Sequence, residues 1–110
     1  YIGLEQMKNV ENLLQSQRKN AEKWKFYFSK QSSYIPIYCE GCEPNYWIYG
    51  ILTEKKRETI VMFREMGYYA SGVHINNNIY SVFDGVSECL PGTVEFNRRF
   101  VALPCGWWMS

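Results

Sequence analysis

The sequence has 110 residues, of which 46% are hydrophobic, 17% aromatic and 21% charged, and its formal net charge is +1. This length suits a single domain, and the aromatic content excludes a disordered tail, which would be poor in aromatic residues. A nucleic-acid-binding domain usually carries a strong basic excess, which this sequence lacks. No apolar run reaches the length of about 18 residues that a transmembrane helix needs. We therefore expect neither nucleic acid nor a membrane as a partner.

The two ends of the sequence indicate a piece of a longer protein. It begins at Tyr1 rather than at a methionine, and it stops directly after the segment Cys105-Gly-Trp-Trp-Met109. No basic segment followed by an apolar one predicts an export signal. We expect a cytoplasmic protein with reduced thiols, since disulfides are rare in that compartment.

The N-terminal part of the sequence predicts one long helix over residues 2–30. Apolar residues recur there at intervals of three, four or seven positions, which is the period of an amphipathic helix: Met7, Val10, Leu14, Ala21, Trp24 and Phe28. At about 1.5 Å per residue the helix is longer than a small domain needs, so we expect it to pack against a partner. The near-heptad spacing leaves a coiled-coil dimer as the alternative.

The rest of the sequence predicts a small sheet and two shorter helices. Apolar runs bounded by turn residues predict three strands, near residues 45–52, 70–75 and 100–103. Helical spacing predicts two further helices, near residues 54–66 and 92–99. The predicted fold class is α+β, a two-layer domain with a long N-terminal helix and a small, mainly antiparallel three-stranded sheet covered by helices.

The cysteines leave a metal site or a redox pair open. The four cysteines are Cys39, Cys42, Cys89 and Cys105. The spacing of Cys39-Glu-Gly-Cys42 suits a zinc knuckle or a redox pair. Cys89 and Cys105 do not form a second pair of this spacing, and His74 is the only histidine. We therefore expect no bound metal and two reduced thiols near a turn, with a metal module as the alternative.

His74 is the residue most suited to acid–base chemistry, because only histidine titrates near neutrality without a shift. It ends a predicted strand and precedes Asn76-Asn77-Asn78, and loops that follow strands often carry ligand contacts. The alternative is a histidine that only closes the strand by a hydrogen bond to the backbone. No nucleophile–base motif, phosphate-binding glycine loop or recognisable carboxylate pair occurs, so no catalytic residue is predicted.

Six segments, in this order along the chain, resemble motifs of the DegT/DnrJ/StrS-type aminotransferases. These enzymes use pyridoxal phosphate (PLP) and act on nucleotide-linked keto sugars. The segments are Ile2-Gly-Leu-Glu-Gln-Met-Lys8, Gln17-Arg-Lys-Asn20 with Trp24–Tyr27, Asn45-Tyr-Trp-Ile-Tyr-Gly50, Phe63-Arg-Glu-Met-Gly67 through Gly72-Val-His74, Leu90-Pro-Gly92 with Glu95-Phe96, and Leu103-Pro-Cys-Gly-Trp-Trp-Met-Ser110. The resemblance covers nearly the whole chain. It implies the C-terminal part of such an enzyme, with a fold like the small domain of fold type I aminotransferases.

The resemblance also implies a set of substrate-binding residues. In the family, the stretch after the Val-His pair reaches toward the active site and helps to bind the sugar nucleotide. The candidate residues in this sequence are His74, Asn76, Asn77, Asn78 and Tyr80. Relatives often carry an arginine and an aspartate where this sequence has Asn76 and Asn78, so charged contacts with phosphate or amine groups are not implied here.

The resemblance places the cofactor outside this chain. In the family, the Schiff-base lysine and the phosphate-binding residues lie in a preceding large domain that this sequence does not contain. No lysine of the sequence stands in the family's Schiff-base context. We therefore expect PLP in the full-length parent, no cofactor in this chain and no transamination by this chain alone.

Two functions follow from these observations. The first is the C-terminal domain or a fragment of a PLP-dependent nucleotide-sugar aminotransferase, which contributes substrate contacts and dimer packing. The alternative is a free-standing, non-catalytic dimerisation or binding module derived from such a domain. For both we expect a homodimer through the long helix and the Trp107/Trp108 end, because two adjacent tryptophans cannot both face one core. The large PLP domain is the further partner expected in a full-length protein.

Overall fold

The computed structural model describes residues 1–83 and 90–109, so Cys89 and Ser110 lie outside the described residues. Across this part of the chain there are four α-helices and three β-strands. In chain order they are α1 (Ile2–Met7), α2 (Val10–Phe28), β1 (Ile35–Pro36), β2 (Ile48–Leu52), α3 (Lys56–Glu65), α4 (Pro91–Arg99) and β3 (Phe100–Pro104). The predicted α+β class is confirmed. None of the helices in the described residues is long and apolar enough to cross a membrane.

The helix predicted over residues 2–30 is divided in two. α1 ends at Met7 and α2 begins at Val10, after Asn9, which has φ −115° and ψ 4°. Asn9 is the N-cap residue of α2, a position that asparagine prefers over helix interiors, and its side chain accepts a hydrogen bond of 2.7 Å from Asn12 Nδ2 instead of from the backbone. No residue of α1 is buried. Tertiary packing therefore does not hold α1 in line with α2.

The sheet is antiparallel, with β2 in the centre between β1 and β3. β2 and β3 pair along their whole lengths, with Tyr49 opposite Leu103 and Ile51 opposite Val101. Because side chains alternate along a strand, these four side chains share one face of the sheet. All four are buried in a cluster with residues of α2 and α3. The core therefore lies between this face of the sheet and these two helices.

The strand predicted near residues 70–75 does not form. The segment near residues 70–75 contributes a single bridge, between Ser71 and Ala102, instead of a strand. The physical reason is the backbone of Val73, whose φ of 55° lies far outside the extended region. The edge strand is instead β1, whose two residues pair with Leu52 and Ile51 of β2.

Helix α3 ends where the sequence places a glycine. Gly67 has φ 89°, a conformation in which a Cβ atom would be strained. Its N–H donates to Arg64 O at 3.0 Å, and the N–H of Tyr68 donates to Phe63 O at 2.9 Å. These two bonds form the Schellman motif, which satisfies the last carbonyl groups of the helix.

The core is built around Trp24, which is 7% exposed. Its ring packs against four other aromatic rings at centroid distances of 4.9 to 6.1 Å: Tyr27, Phe28, Phe63 and Tyr68. Its indole Nε1 donates a hydrogen bond of 2.8 Å to Pro104 O, at the end of β3. Each aromatic contact of this kind contributes about 1 kcal/mol beyond the burial of area. Trp24 therefore joins α2 to both α3 and the sheet.

A second contact joins α2 to the segment that follows β3. The buried side chain of Asn20 donates from Nδ2 to Gly106 O at 2.9 Å and to Met109 O at 2.8 Å. At Gly106, a Cβ atom would clash with the ring of Trp108. Only glycine therefore lets Trp108 fold back over the backbone at this position.

Candidate functional site

Three of the five predicted site residues line one recess, here called the His74 recess. It has a volume of about 420 Å³ and is lined by His74, Ile75, Asn77, Asn78, Leu90 and Thr93. The other two predicted residues, Asn76 and Tyr80, are not part of this lining. They flank the short 3-10 turn Asn77–Ile79, and Asn76 O accepts a hydrogen bond of 3.3 Å from the N–H of Ile79.

A tight turn carries the chain from the edge of the sheet to the His74 recess. Ser71 is bridged to Ala102 of β3, and its Oγ accepts a hydrogen bond of 3.3 Å from the N–H of Val73. The N–H of His74 donates to Gly72 O at 2.7 Å, which makes Val73 the centre of a three-residue turn with φ 55°. Holding a β-branched residue in this conformation costs about 1–3 kcal/mol. This turn is the reason that His74 lies outside the sheet.

Trp47 lies beside the recess, although the sequence places it in the strand predicted over residues 45–52. Its ring centroid is 6.1 Å from that of His74. Strand β2 begins only at Ile48, because Tyr46 takes a positive φ of 52° and turns the chain before the strand. The indole of Trp47 is consequently half exposed instead of buried in the sheet.

Helix α4 supplies the opposite wall of the recess, through Thr93 and the preceding Leu90. Sequence analysis does not select these two residues. The one signal for them is the Leu90-Pro-Gly92 motif, which marks a helix start. No local sequence signal indicates that the start of α4 lies beside His74, because this proximity depends on how α4 packs on the sheet.

Polar contacts anchor α4 in this position. Arg98 donates to Glu54 Oε2 at 2.5 Å, and Lys56 Nζ donates to Asn97 O at 2.6 Å. Within α4, Arg98 also donates to Glu95 Oε1 at 2.9 Å. The hydrogen bonds from Arg98 lower the pKa of both carboxyl groups. Because these pKa values are lower in the folded chain than in the unfolded chain, the contacts stabilise the fold at neutral pH. That contribution is lost as the pH falls through the carboxyl range.

The chemistry of the recess is that of neutral hydrogen-bonding groups around one imidazole. Its lining offers His74, the carboxamides of Asn77 and Asn78, and the hydroxyl of Thr93, each able to donate and to accept. PLP is held through a Schiff base with a lysine, and no lysine of the described residues lines this recess. The recess therefore does not fit that cofactor. It fits a polar ligand group such as a hydroxyl.

The described cysteines differ in their surroundings. Cys39 and Cys42 are exposed, whereas Cys105 is buried, and burial raises the pKa of Cys105 to about 11. Within residues 1–83 and 90–109, no three side chains of the His, Cys, Asp and Glu types are grouped as a metal site requires.

Comparisons with known proteins give matches among solved structures. No protein-family model matches the sequence, and no curated protein matches it. The sugar aminotransferase CalS13 from Micromonospora echinospora is 24% identical with a TM-score of 0.89, over 99% of this chain and 30% of its own. Helicobacter pylori PseC, an aminotransferase involved in the biosynthesis of pseudoaminic acid, is 20% identical with a TM-score of 0.81, over 98% of this chain and 31% of its own. A DegT DnrJ EryC1 StrS aminotransferase from Brucella abortus is 13% identical with a TM-score of 0.80, over 97% of this chain and 30% of its own.

This is a fold found in sugar aminotransferases. The chain spans about 30% of the length of these neighbours. The resemblance of the six motifs is thereby confirmed at the level of the fold, which agrees with the small C-terminal domain that their order predicts. Identities of 24% or less establish the sugar-aminotransferase fold and not the reaction.

Val73 gives a direct test of the turn that presents His74. At a position with ordinary backbone angles, a variant with alanine is more stable than one with glycine, because glycine loses more conformational entropy on folding. At the φ of 55° found here, the order reverses, since alanine keeps the Cβ atom that the left-handed region disfavours. In urea denaturation we expect Val73→Gly to have a free energy of unfolding about 1 kcal/mol above that of Val73→Ala.

Val61 provides the matched control for this comparison. It is an exposed valine within helix α3, where alanine should be the more stable replacement. A Val73→Ala variant at least as stable as Val73→Gly would contradict the turn at Val73.

Proposed function

We propose that this chain is the C-terminal domain, or a fragment, of a PLP-dependent nucleotide-sugar aminotransferase. In this role it contributes substrate contacts and dimer packing, and it does not catalyse the reaction alone. The observation that carries the proposal is the meeting of His74, Asn77 and Asn78 in one recess of a chain with the sugar-aminotransferase fold. The names of the neighbours supply the class of substrate, a sugar.

The recess binds the sugar part of the substrate in this proposal. Sugar hydroxyl groups both donate and accept hydrogen bonds, and so do the carboxamides of Asn77 and Asn78 and the imidazole of His74. Each such bond contributes about 1 kcal/mol after the loss of bonds to water. The half-exposed ring of Trp47, 6.1 Å from His74, offers an apolar surface to the ring of a sugar.

In the proposed enzyme, this chain binds the sugar and the rest of the protein holds the cofactor. When bound, PLP supplies the electron sink for amino transfer. Among the described residues no lysine lines the His74 recess, so in this proposal the lining residues orient the sugar and do not hold the cofactor. Asn76 and Asn78 are neutral where relatives often carry charges. We therefore expect recognition of the sugar through its hydroxyl pattern more than through its phosphate groups.

Titration of the isotope-labelled chain with a uridine-diphosphate-linked hexose, followed by NMR, tests the substrate contacts. The side-chain signals of His74, Asn77 and Asn78 should shift together, because the three groups share one recess. Loss of one hydrogen bond in Asn77→Ala should weaken binding by about five- to tenfold.

Asn12 supplies the matched control, since it is an exposed asparagine of α2 outside the recess. Its signals should not move, and Asn12→Ala should bind as the unmodified chain does. Shifts that avoid the recess, or no shift at millimolar hexose, would contradict the proposed contacts.

Dimer packing is the second part of the proposal. In α1, Ile2, Leu4 and Met7 are exposed, and the helix buries no residue. Trp107 and Trp108 are 54% and 62% exposed, with their rings in a T-shaped pair at 5.9 Å. Each of these two sets of exposed apolar side chains favours contact with another protein surface. We assign that contact to a second copy of the chain.

Sedimentation velocity measures this association directly. We expect the chain to sediment as a dimer at tens of micromolar and Trp107→Lys to sediment as a monomer, because a charge cannot be buried unpaired in an apolar contact. Val61→Lys, at an exposed apolar position of α3, should remain dimeric. Trp107→Lys that still dimerises would contradict the proposed surface. A dimer with no affinity for the nucleotide-linked hexose would favour the free-standing dimerisation module instead.

A further inference from the structure

A second pair of functional groups lies apart from the His74 recess, at Cys39 and Cys42. We propose that these two thiols form a reversible dithiol–disulfide pair that exchanges with low-molecular-weight disulfides such as oxidised glutathione. Neither cysteine lines the His74 recess, so the proposal does not depend on sugar binding.

A β-turn brings the two cysteines together. The N–H of Cys42 donates to Cys39 O at 3.2 Å, and Gly41, at the third position, has φ 76°, as in a type II turn. The first and fourth Cα atoms of such a turn are less than about 7 Å apart. A disulfide joins Cα atoms that are about 4.4–6.8 Å apart. The turn therefore already holds the two residues within the span of a disulfide.

The two cysteines of this turn are open to solvent. Both cysteines are exposed, so a small disulfide can reach them. A hydrogen bond between the two thiols raises the pKa of Cys42, with desolvation as the smaller cause. Cys42 therefore keeps its proton to a higher pH than an ordinary thiol. Because the thiolate is the reactive form, we assign Cys42 to the second step of the exchange.

The exchange takes two balanced steps. The Cys39 thiolate attacks one sulfur of oxidised glutathione, forms a mixed disulfide and releases one glutathione thiolate, which takes up a proton. The Cys42 thiol loses its proton to solvent and attacks the sulfur of Cys39, which closes the ring and releases the second glutathione. The two protein thiols are oxidised by two electrons, and one glutathione disulfide is reduced to two glutathione thiols.

Peptide mapping tests this assignment on the full chain. Trypsin cuts after Lys30 and after Lys55 and releases residues 31–55, which contain Cys39 and Cys42 and no other cysteine. The folded chain is equilibrated with oxidised glutathione and its free thiols are alkylated in denaturant. After digestion with trypsin, the mass of the peptide 31–55 is measured by mass spectrometry. We expect a peptide lighter by two hydrogen atoms than its unalkylated reduced form, with no glutathione attached. Reduction with dithiothreitol should restore both thiols.

Two controls make the outcome specific. Cys105 is buried with its pKa raised to about 11, so it should remain a free thiol under the same treatment. A Cys42→Ser variant should keep glutathione on Cys39, because no second thiol displaces it. Two alkylated thiols in peptide 31–55, glutathione on both cysteines, or a disulfide from either one to Cys89 would overturn the proposal.

Discussion

The hydrogen bond from Trp24 Nε1 to Pro104 O, at 2.8 Å, is the contact on which the rest of the structure depends. The part-buried carbonyl of Pro104, at the end of β3, needs a donor, and the indole of Trp24 supplies it from α2. The same ring packs on Phe63 of α3. One side chain thereby fixes the position of a long helix, a second helix and the end of the central strand pair. The aromatic contacts supply energy, and the hydrogen bond sets the register of α2 on the sheet.

The position of the candidate site depends on the same strand, β3. Ala102 of β3 holds Ser71 by a pair of backbone hydrogen bonds, at 2.8 and 3.1 Å, and the turn at Val73 then places His74 beside the recess. On the other side, Arg98 anchors α4 through Glu54 and so fixes the wall that contains Thr93. A rigid sheet edge and an anchored helix thus present the neutral polar groups of Asn77 and Asn78. This division between a rigid scaffold and loop-borne polar groups is usual for ligand contacts.

The local sequence pattern correctly predicts the elements whose apolar stripe is buried. It does not predict where an apolar stripe remains exposed. Trp24 and Phe28 belong to the helical stripe and are buried as expected, whereas Met7 of the same stripe is 64% exposed. The stripe cannot show that Asn9 divides the helix or that α1 lacks a surface to pack on. Valine favours strands, so no local signal predicts the positive φ of Val73, which prevents the strand expected near residues 70–75.

The sequence predicts only those site residues that carry a local signal. His74, Asn77 and Asn78 stand out because a histidine and a run of asparagines follow a strand-like segment. Trp47 and Thr93 join them only through tertiary packing, from segments far away in sequence. Residue type and local order therefore indicate which groups carry chemistry, and the fold decides which of them meet.

Hydrogen exchange of the tryptophan indole groups, followed by NMR, tests the central contact most directly. The chain has four tryptophans, and the exposed indoles of Trp107 and Trp108 provide the fast-exchange reference within the same sample. The indole N–H of Trp24 should exchange as slowly as the backbone amides of β3, because both are released only when the core opens. Exchange of the Trp24 indole at the rate of Trp107 and Trp108 would contradict the account.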